Sequence, residues 1–207
     1  MVNIIGADRF TEHAEPYESG YFTLKLIKAA TQNFNPANRI SKFEGLYKGV
    51  LPDGMKITVK RIHELDYYCT YEFNNEVKIL STIRHQNLVR LLGHCSEDNQ
   101  CLLVYECIEN GSLGSALSGK AKTSFTELLR KRLNWGTKMR ISLGIANGLA
   151  FLHQKDESKS VIVHRDIKLY NIFLDRFLDP KIYYFGLAKR LGADDTHYTT
   201  HRACGTL

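Results

Sequence analysis

Around Asn110-Gly111-Ser112 the chain changes period. Upstream, LYKGVL and KITVKRI, within residues 46–62, are strand-like runs on either side of Pro52-Asp53-Gly54, a strong turn signal. Residues 71–84 read as a helix with Phe73, Val77, Leu80 and Ile83 on one face. Strand-like runs at 88–95 and 101–107 follow, joined by Ser96-Glu97-Asp98-Asn99. Strands with a single helix predict a small α+β lobe. Downstream, residues 135–153 put Trp135, Met139, Leu143, Ala146, Leu149 and Leu152 on a helical stripe, which reads as core. Two short apolar runs come after it, at 161–163 and 171–174. With 207 residues and 43% hydrophobic content, the chain has material for one globular unit in two lobes.

The ends and the charge exclude several classes. Residues 1–20 are polar, with Asp8, Glu12, Glu15 and Glu18, and read as a flexible tail. FTLKLIKAATQNF, residues 22–34, has Leu26, Ile27 and Ala30 at helical spacing before Asn33, Asn35, Pro36 and Asn38 break it. Five cysteines without CxxC spacing argue against a disulfide framework and a zinc site, and favour a reducing compartment. No run reaches the ~18 apolar residues that span a bilayer, and the start does not read as a secretory signal. Val2 stands where N-myristoylation needs glycine. The net charge is +6, and its densest part, Arg130, Lys131, Arg132, Lys138 and Arg140, reads as a solvated helix start. Without interleaved aromatics it does not predict nucleic-acid binding.

The segment VIVHRDIKLYNIFLD, residues 161–175, carries the chemistry. His164-Arg165-Asp166, then Lys168, then Asn171 matches the catalytic-loop pattern of protein kinases. In that chemistry Asp166 meets a substrate hydroxyl, Asn171 reaches a magnesium ion, and Lys168 neutralises charge on the transferring phosphoryl group.

From about residue 21 to its end the chain resembles the cytoplasmic kinase domain of plant receptor-like kinases, especially those of leucine-rich-repeat receptors. FTLKLIKAATQNF, LVYECIENGSL and LNWGTKMRISLGIANGLAFLH carry the likeness with the catalytic loop. The resemblance implies a two-lobed kinase fold, α+β in class. Residues 21–36 would be a juxtamembrane-like helix, 37–106 a β-rich lobe with one helix, and 107–207 an incomplete helical lobe. It also implies that Lys60, in ITVK, holds ATP phosphates with Glu76 as its partner, Glu72 being the rival on the same face. Tyr105, Glu106 and Cys107 resemble the hinge whose backbone bonds adenine. Ile40, Leu46 and Phe173 would complete the nucleotide site. Leu80, Leu91, His164 and Phe185 resemble the apolar column that joins the lobes of active kinases.

Three departures stand against that pattern. The glycine loop is reduced to Ile40-Ser41-Lys42-Phe43-Glu44-Gly45-Leu46, with one glycine left to bring backbone N–H groups to phosphate. The D-F-G triplet reads Tyr184-Phe185-Gly186, and a phenol, neutral with a reference pKa of about 10, cannot imitate the metal-binding carboxylate. Asn171 would remain as the metal ligand, which makes magnesium doubtful and ATP binding weak. Thr58 stands where the family usually has alanine against adenine. Finally, the sequence ends at Leu207 before an A-P-E motif. The expectation is that the stripe from Trp135 to Leu152 lacks a packing partner and exposes a patch.

The leading expectation is therefore a catalytically impaired, pseudokinase-like domain with a signalling or scaffold role. The alternatives are an active Ser/Thr kinase and a non-functional fragment of a larger receptor kinase. Expected partners are kinases or receptors of a signalling pathway, in the cytoplasm or at the plasma membrane through a longer parent chain or a receptor. Thr199 and Thr200, with Arg165 as a phosphate partner, are the expected phosphosites.

Overall fold

The computed structural model describes residues 20–41, 45–62, 67–118, 124–154 and 160–192. Strand β1 is Gly20–Tyr21, helix α1 Leu24–Ala30, β2 Arg39–Ser41, β3 Leu46–Val50 and β4 Lys56–Ile62. Helix α2, Tyr67–Leu80, leads to β5, Leu91–Glu97, and β6, Gln100–Glu106. The second half contains α3 (Leu113–Ser118), α4 (Ser124–Arg132) and α5 (Trp135–His153). It ends in short strands β7 (Ile162–Val163), β8 (Ile172–Leu174), β9 (Pro180–Ile182) and β10 (Lys189–Arg190). The class is α+β, a β-rich lobe joined to a helical lobe that is incomplete for a kinase fold.

The first lobe is a six-stranded sheet in the order β1-β5-β6-β4-β3-β2. Its hairpins follow from turn chemistry. Gly54 takes φ +87° between β3 and β4, where Asp53 Oδ1 accepts the Met55 N–H at 2.9 Å. Between β5 and β6 only Asp98 and Asn99 lie outside the pairing, at φ 49° and 56°, the left-handed pair that a tight hairpin needs. Strand β1 adds in parallel to β5 with Gly20 opposite Gly93. A Cβ on Gly93 would sit 2.0 Å from the Gly20 carbonyl oxygen, so the edge closes only with glycine there.

The two faces of this sheet have different covers. On the outer face Leu24, Ile27, Ala30 and Phe34 pack on Tyr47, Ile57, Val59, Cys95, Leu102 and Val104. Ile27 is fully buried, and each such aliphatic side chain contributes about 1.5–3 kcal/mol. On the inner face α2 and the second lobe share one core with Leu46, Leu80, Leu91, Leu103 and Tyr105.

Several element bounds differ from the sequence expectation. Helix α1 stops at Ala30, because the Thr31 hydroxyl donates to the Ile27 carbonyl and Gln32, Asn33 and Phe34 turn left-handed. Helix α2 starts and ends earlier than 71–84. The Ser81 and Thr82 hydroxyls bond back to the Lys78 and Ile79 carbonyls, and Ile83 is buried beyond the helix. Strand β5 starts at Leu91 rather than residue 88.

Helix α5 has its expected bounds, with Asn134 capping its start. Its buried face keeps the expected Leu152, with Leu149 packed against the core, but departs from the expected stripe at Trp135, Met139, Leu143 and Ala146. Trp135, Met139 and Leu143 are 77%, 52% and 62% exposed, while Ile141, Gly144, Gly148 and Leu152 are buried. The helix lies so close to β9 that a Cβ on Gly144 would fall 2.5 Å from Pro180 Cγ. Glycines mark this face, and a reading of large apolar residues passes over them. Trp135, Met139 and Leu143 stand exposed, while the expected exposure does not extend to Leu149 and Leu152.

Candidate functional site

The chemistry-bearing residues gather where β4, α2, the β7–β8 loop and the segment after β9 meet. Lys60 Nζ lies 3.0 Å from Glu76 Oε2, and Glu76 is fully buried. The other oxygen of Glu76 accepts from the Tyr105 hydroxyl at 2.8 Å and from the Phe185 N–H at 3.3 Å. A buried carboxylate needs this full set of donors. Burial, and then the charge of Glu76, push the Tyr105 phenol well up, so it remains a donor. Glu72, one helical turn before Glu76, does not meet Lys60. It accepts from the Tyr184 hydroxyl at 2.7 Å.

The catalytic-type loop is closed on itself. Lys168 Nζ lies 2.9 Å from Asp166 Oδ2, and Asn171 Nδ2 donates to that oxygen at 2.7 Å and to the Asp166 carbonyl at 2.8 Å. His164 is buried, and burial holds its pKa below the usual value. Its Nδ1 accepts the Asp166 N–H at 3.3 Å, which leaves Nε2 to donate to the Tyr183 carbonyl at 3.0 Å. That is the arrangement of a neutral imidazole. The His164 ring stands 4.8 Å from Phe185, and Leu80, Leu91 and Phe185 are all at most 1% exposed.

The residues expected to line a nucleotide site are placed as follows. Leu46 is fully buried on β3, opposite Lys60 in register. Ile40 is half-buried near Gly111. Glu106 Oε1 pairs with Lys181 Nζ at 3.1 Å. Cys107 is half-buried, with burial pushing its thiol up. Phe173 is buried with its ring 4.7 Å from that of Tyr183. Thr58 Oγ1 accepts the Ile108 N–H at 3.0 Å. Thr199, Thr200 and the loop residues Lys42, Phe43 and Glu44 lie outside the described residues.

At the metal-binding position Tyr184 sits in the left-handed region, φ +70°, a costly place for a bulky side chain. Its ring centroid is 4.6 Å from Lys60 Nζ and its hydroxyl is committed to Glu72. Burial, then that bond, push the phenol far above its usual pKa. A protonated phenol donating to a carboxylate offers no hard anionic oxygen, so Tyr184 itself does not fit a magnesium ligand. Among the described residues no group of three or more His, Cys, Asp or Glu side chains could hold a metal.

Asn75 was not singled out by the sequence. Asn75 Nδ2 lies 2.8 Å from the carbonyl oxygens of both Gly186 and Ala188. Its signal was an amide on the inward side of a helix between Glu72 and Glu76. A concavity of about 290 Å³ is lined by Asn87, Arg140, Gly144 and Asp179 among others, and neither Asp166 nor Lys60 lines it.

Comparison with known proteins agrees with this geometry. The protein tyrosine and serine/threonine kinase family matches residues 41–206. An LRR receptor-like serine/threonine-protein kinase of Arabidopsis thaliana is 47% identical over 192 residues, 92% of this chain and 18% of that protein. Another from the same plant, RFK1, is 43% identical over 204 residues, 98% of this chain and 19% of its own length. A cysteine-rich receptor-like protein kinase is 40% identical over 187 residues, 89% and 28% of the two. The chain thus spans under a third of the length of these relatives. It belongs to the protein tyrosine and serine/threonine kinase family, in the receptor-like serine/threonine group.

Proposed function

We propose that this kinase-family domain acts as a degenerate module that binds other proteins in receptor signalling, holds ATP weakly and transfers phosphate poorly or not at all. The observation that carries this is Tyr184. Phosphoryl transfer is almost entirely positioning and electrostatics, with metal bridging the β- and γ-phosphates. A phenol tied to Glu72 at 2.7 Å supplies no anchor for that metal. ATP is the nucleotide that the family implies, and Lys60, Ile40, Leu46, Tyr105, Glu106, Cys107 and Phe173 are the residues proposed to hold it. The proposed partners are receptors or kinases of the pathway. The proposed place is the cytoplasmic side of the plasma membrane, as the relatives' receptor-like names imply. No helix among the described residues is long and apolar enough to cross a membrane.

An active serine/threonine kinase is the second reading. It is favoured by Asp166, Lys168 and Asn171 lying within hydrogen-bond distance of one another, and by the Lys60–Glu76 pair at 3.0 Å. In that case Asp166 would take the hydroxyl proton, with Asn171 as the remaining metal ligand. Thermal shift with ATP separates the two. Any shift of the wild type should be the same in magnesium and in EDTA, and Tyr184→Asp should make it magnesium-dependent. A magnesium-dependent shift with Tyr184 in place contradicts the proposal.

A further inference from the structure

Strand alternation puts Thr58 on the same face of β4 as Lys60, two residues on. The chain leaves β6 at Glu106 and crosses to the second lobe through Cys107 and Ile108. The Ile108 N–H donates to Thr58 Oγ1 at 3.0 Å in a buried bond, and Thr58 itself is fully buried. This backbone donor therefore points into the space under β4 that holds Lys60, and it is already engaged. The side chains beside it are well packed. Leu46 is 0% exposed and Phe173 1%. The Phe173 ring packs edge-on against Tyr183 at 4.7 Å, and Tyr183 against Tyr105 at 5.4 Å.

We infer that the cleft beneath β4 is capped against planar nitrogen heterocycles, with Thr58 occupying the backbone N–H that an adenine-type base would need. This deepens the proposed function and rests on it for placing a nucleotide in this cleft. A ring nitrogen can accept that N–H only by displacing the Thr58 hydroxyl, which is fixed beside it by the sheet. The displaced hydroxyl would then stay buried without the bond, a cost that an open cleft does not carry. Alanine at position 58 reverses the balance. It leaves the Ile108 N–H buried and unpaired, and a bound heterocycle restores the missing acceptor.

Adenosine is the probe that isolates this effect. It has no phosphate and needs no metal, so Tyr184 plays no part in the outcome. Calorimetry and thermal shift on the full chain should show no wild-type response to millimolar adenosine. Thr58→Ala should melt lower alone, recover with adenosine, and bind it at least about tenfold more tightly, equivalent to about 1.4 kcal/mol. Thr58→Ser keeps the acceptor and should behave as the wild type. Wild-type binding as tight as that of Thr58→Ala overturns the cap. So does a gain in Thr58→Ser equal to that in Thr58→Ala, because bulk would then be the cause. Should Thr58→Ala not fold, exchange of the Ile108 amide in the wild type decides. No change with adenosine supports the cap, and added protection overturns it. Failure or success of phosphate transfer bears on Tyr184 and is read separately.

Discussion

The catalytic-type loop and the segment after β9 touch, yet they hold their places in opposite ways. In the loop from His164 to Asn171 the Asp166 carboxylate is held from within: Lys168 and Asn171, in the same eight residues, grip it. The segment from Tyr183 to Ala188 leans on a distant helix. Tyr184 bonds Glu72, Phe185 bonds Glu76, and Asn75 bonds the Gly186 and Ala188 carbonyls. The difference separates position from chemistry. The second segment is fastened to α2 with a tyrosine, not an aspartate, at position 184. The hydroxyl of Tyr184 and its ring over Lys60 draw the two elements together instead.

Removing the carboxylate that ties the segment after β9 to Lys60 and Tyr105 should have the largest effect. Glu76→Ala strands Lys60, Tyr105 and the Phe185 N–H in a buried site, and should cost about 3–5 kcal/mol in urea unfolding. A loss below about 1 kcal/mol would mean that Glu76 is not their common anchor. A sharper and smaller test is Tyr184→Phe, which removes only the hydroxyl. It should cost about 1 kcal/mol and speed amide exchange in α2 while residues 164–171 stay unchanged. Equal acceleration in both regions would erase the contrast between them.

The smallest effect is on pH. Burial lowers the pKa of His164 and of His94 below the usual 6.5, so the folded state resists protons that the unfolded chain accepts. Stability should therefore be level above about pH 6.5 and fall as pH drops below it. Protonated His164 would also lose its Nδ1 acceptor for the Asp166 N–H. A melting temperature that rises between pH 7 and pH 5.5 would show the sign to be wrong.

What the sequence disclosed was local. Pro52-Asp53-Gly54 and Asp98-Asn99 mark their hairpins because left-handed backbone demands those residues. Asn134 marks the start of α5, and the spacing of Asp166, Lys168 and Asn171 is confined to one loop. What stayed hidden depends on contacts far apart in the chain. Tyr184 and Glu72 meet across 112 positions, so the substitution at 184 could be read as a loss but not as a new bond. The buried face of α5 is set by Gly144 and Gly148 against Pro180 and Ile182, small residues with no hydrophobic signal. The α2 bounds depend on hydroxyls that bond back at Ser81 and Thr82.

The proposed function holds that Tyr184 stands in place of a metal anchor and that transfer is weakened or lost with it. Radiolabelled γ-phosphate transfer from Mg-ATP to a generic protein substrate tests it most directly, with Asp166→Asn as the comparison. The wild type and Asp166→Asn should give the same background, because several kcal/mol of metal stabilisation is missing and each ~1.4 kcal/mol is tenfold in rate. Transfer by the wild type that Asp166→Asn abolishes would contradict the account and establish an active kinase.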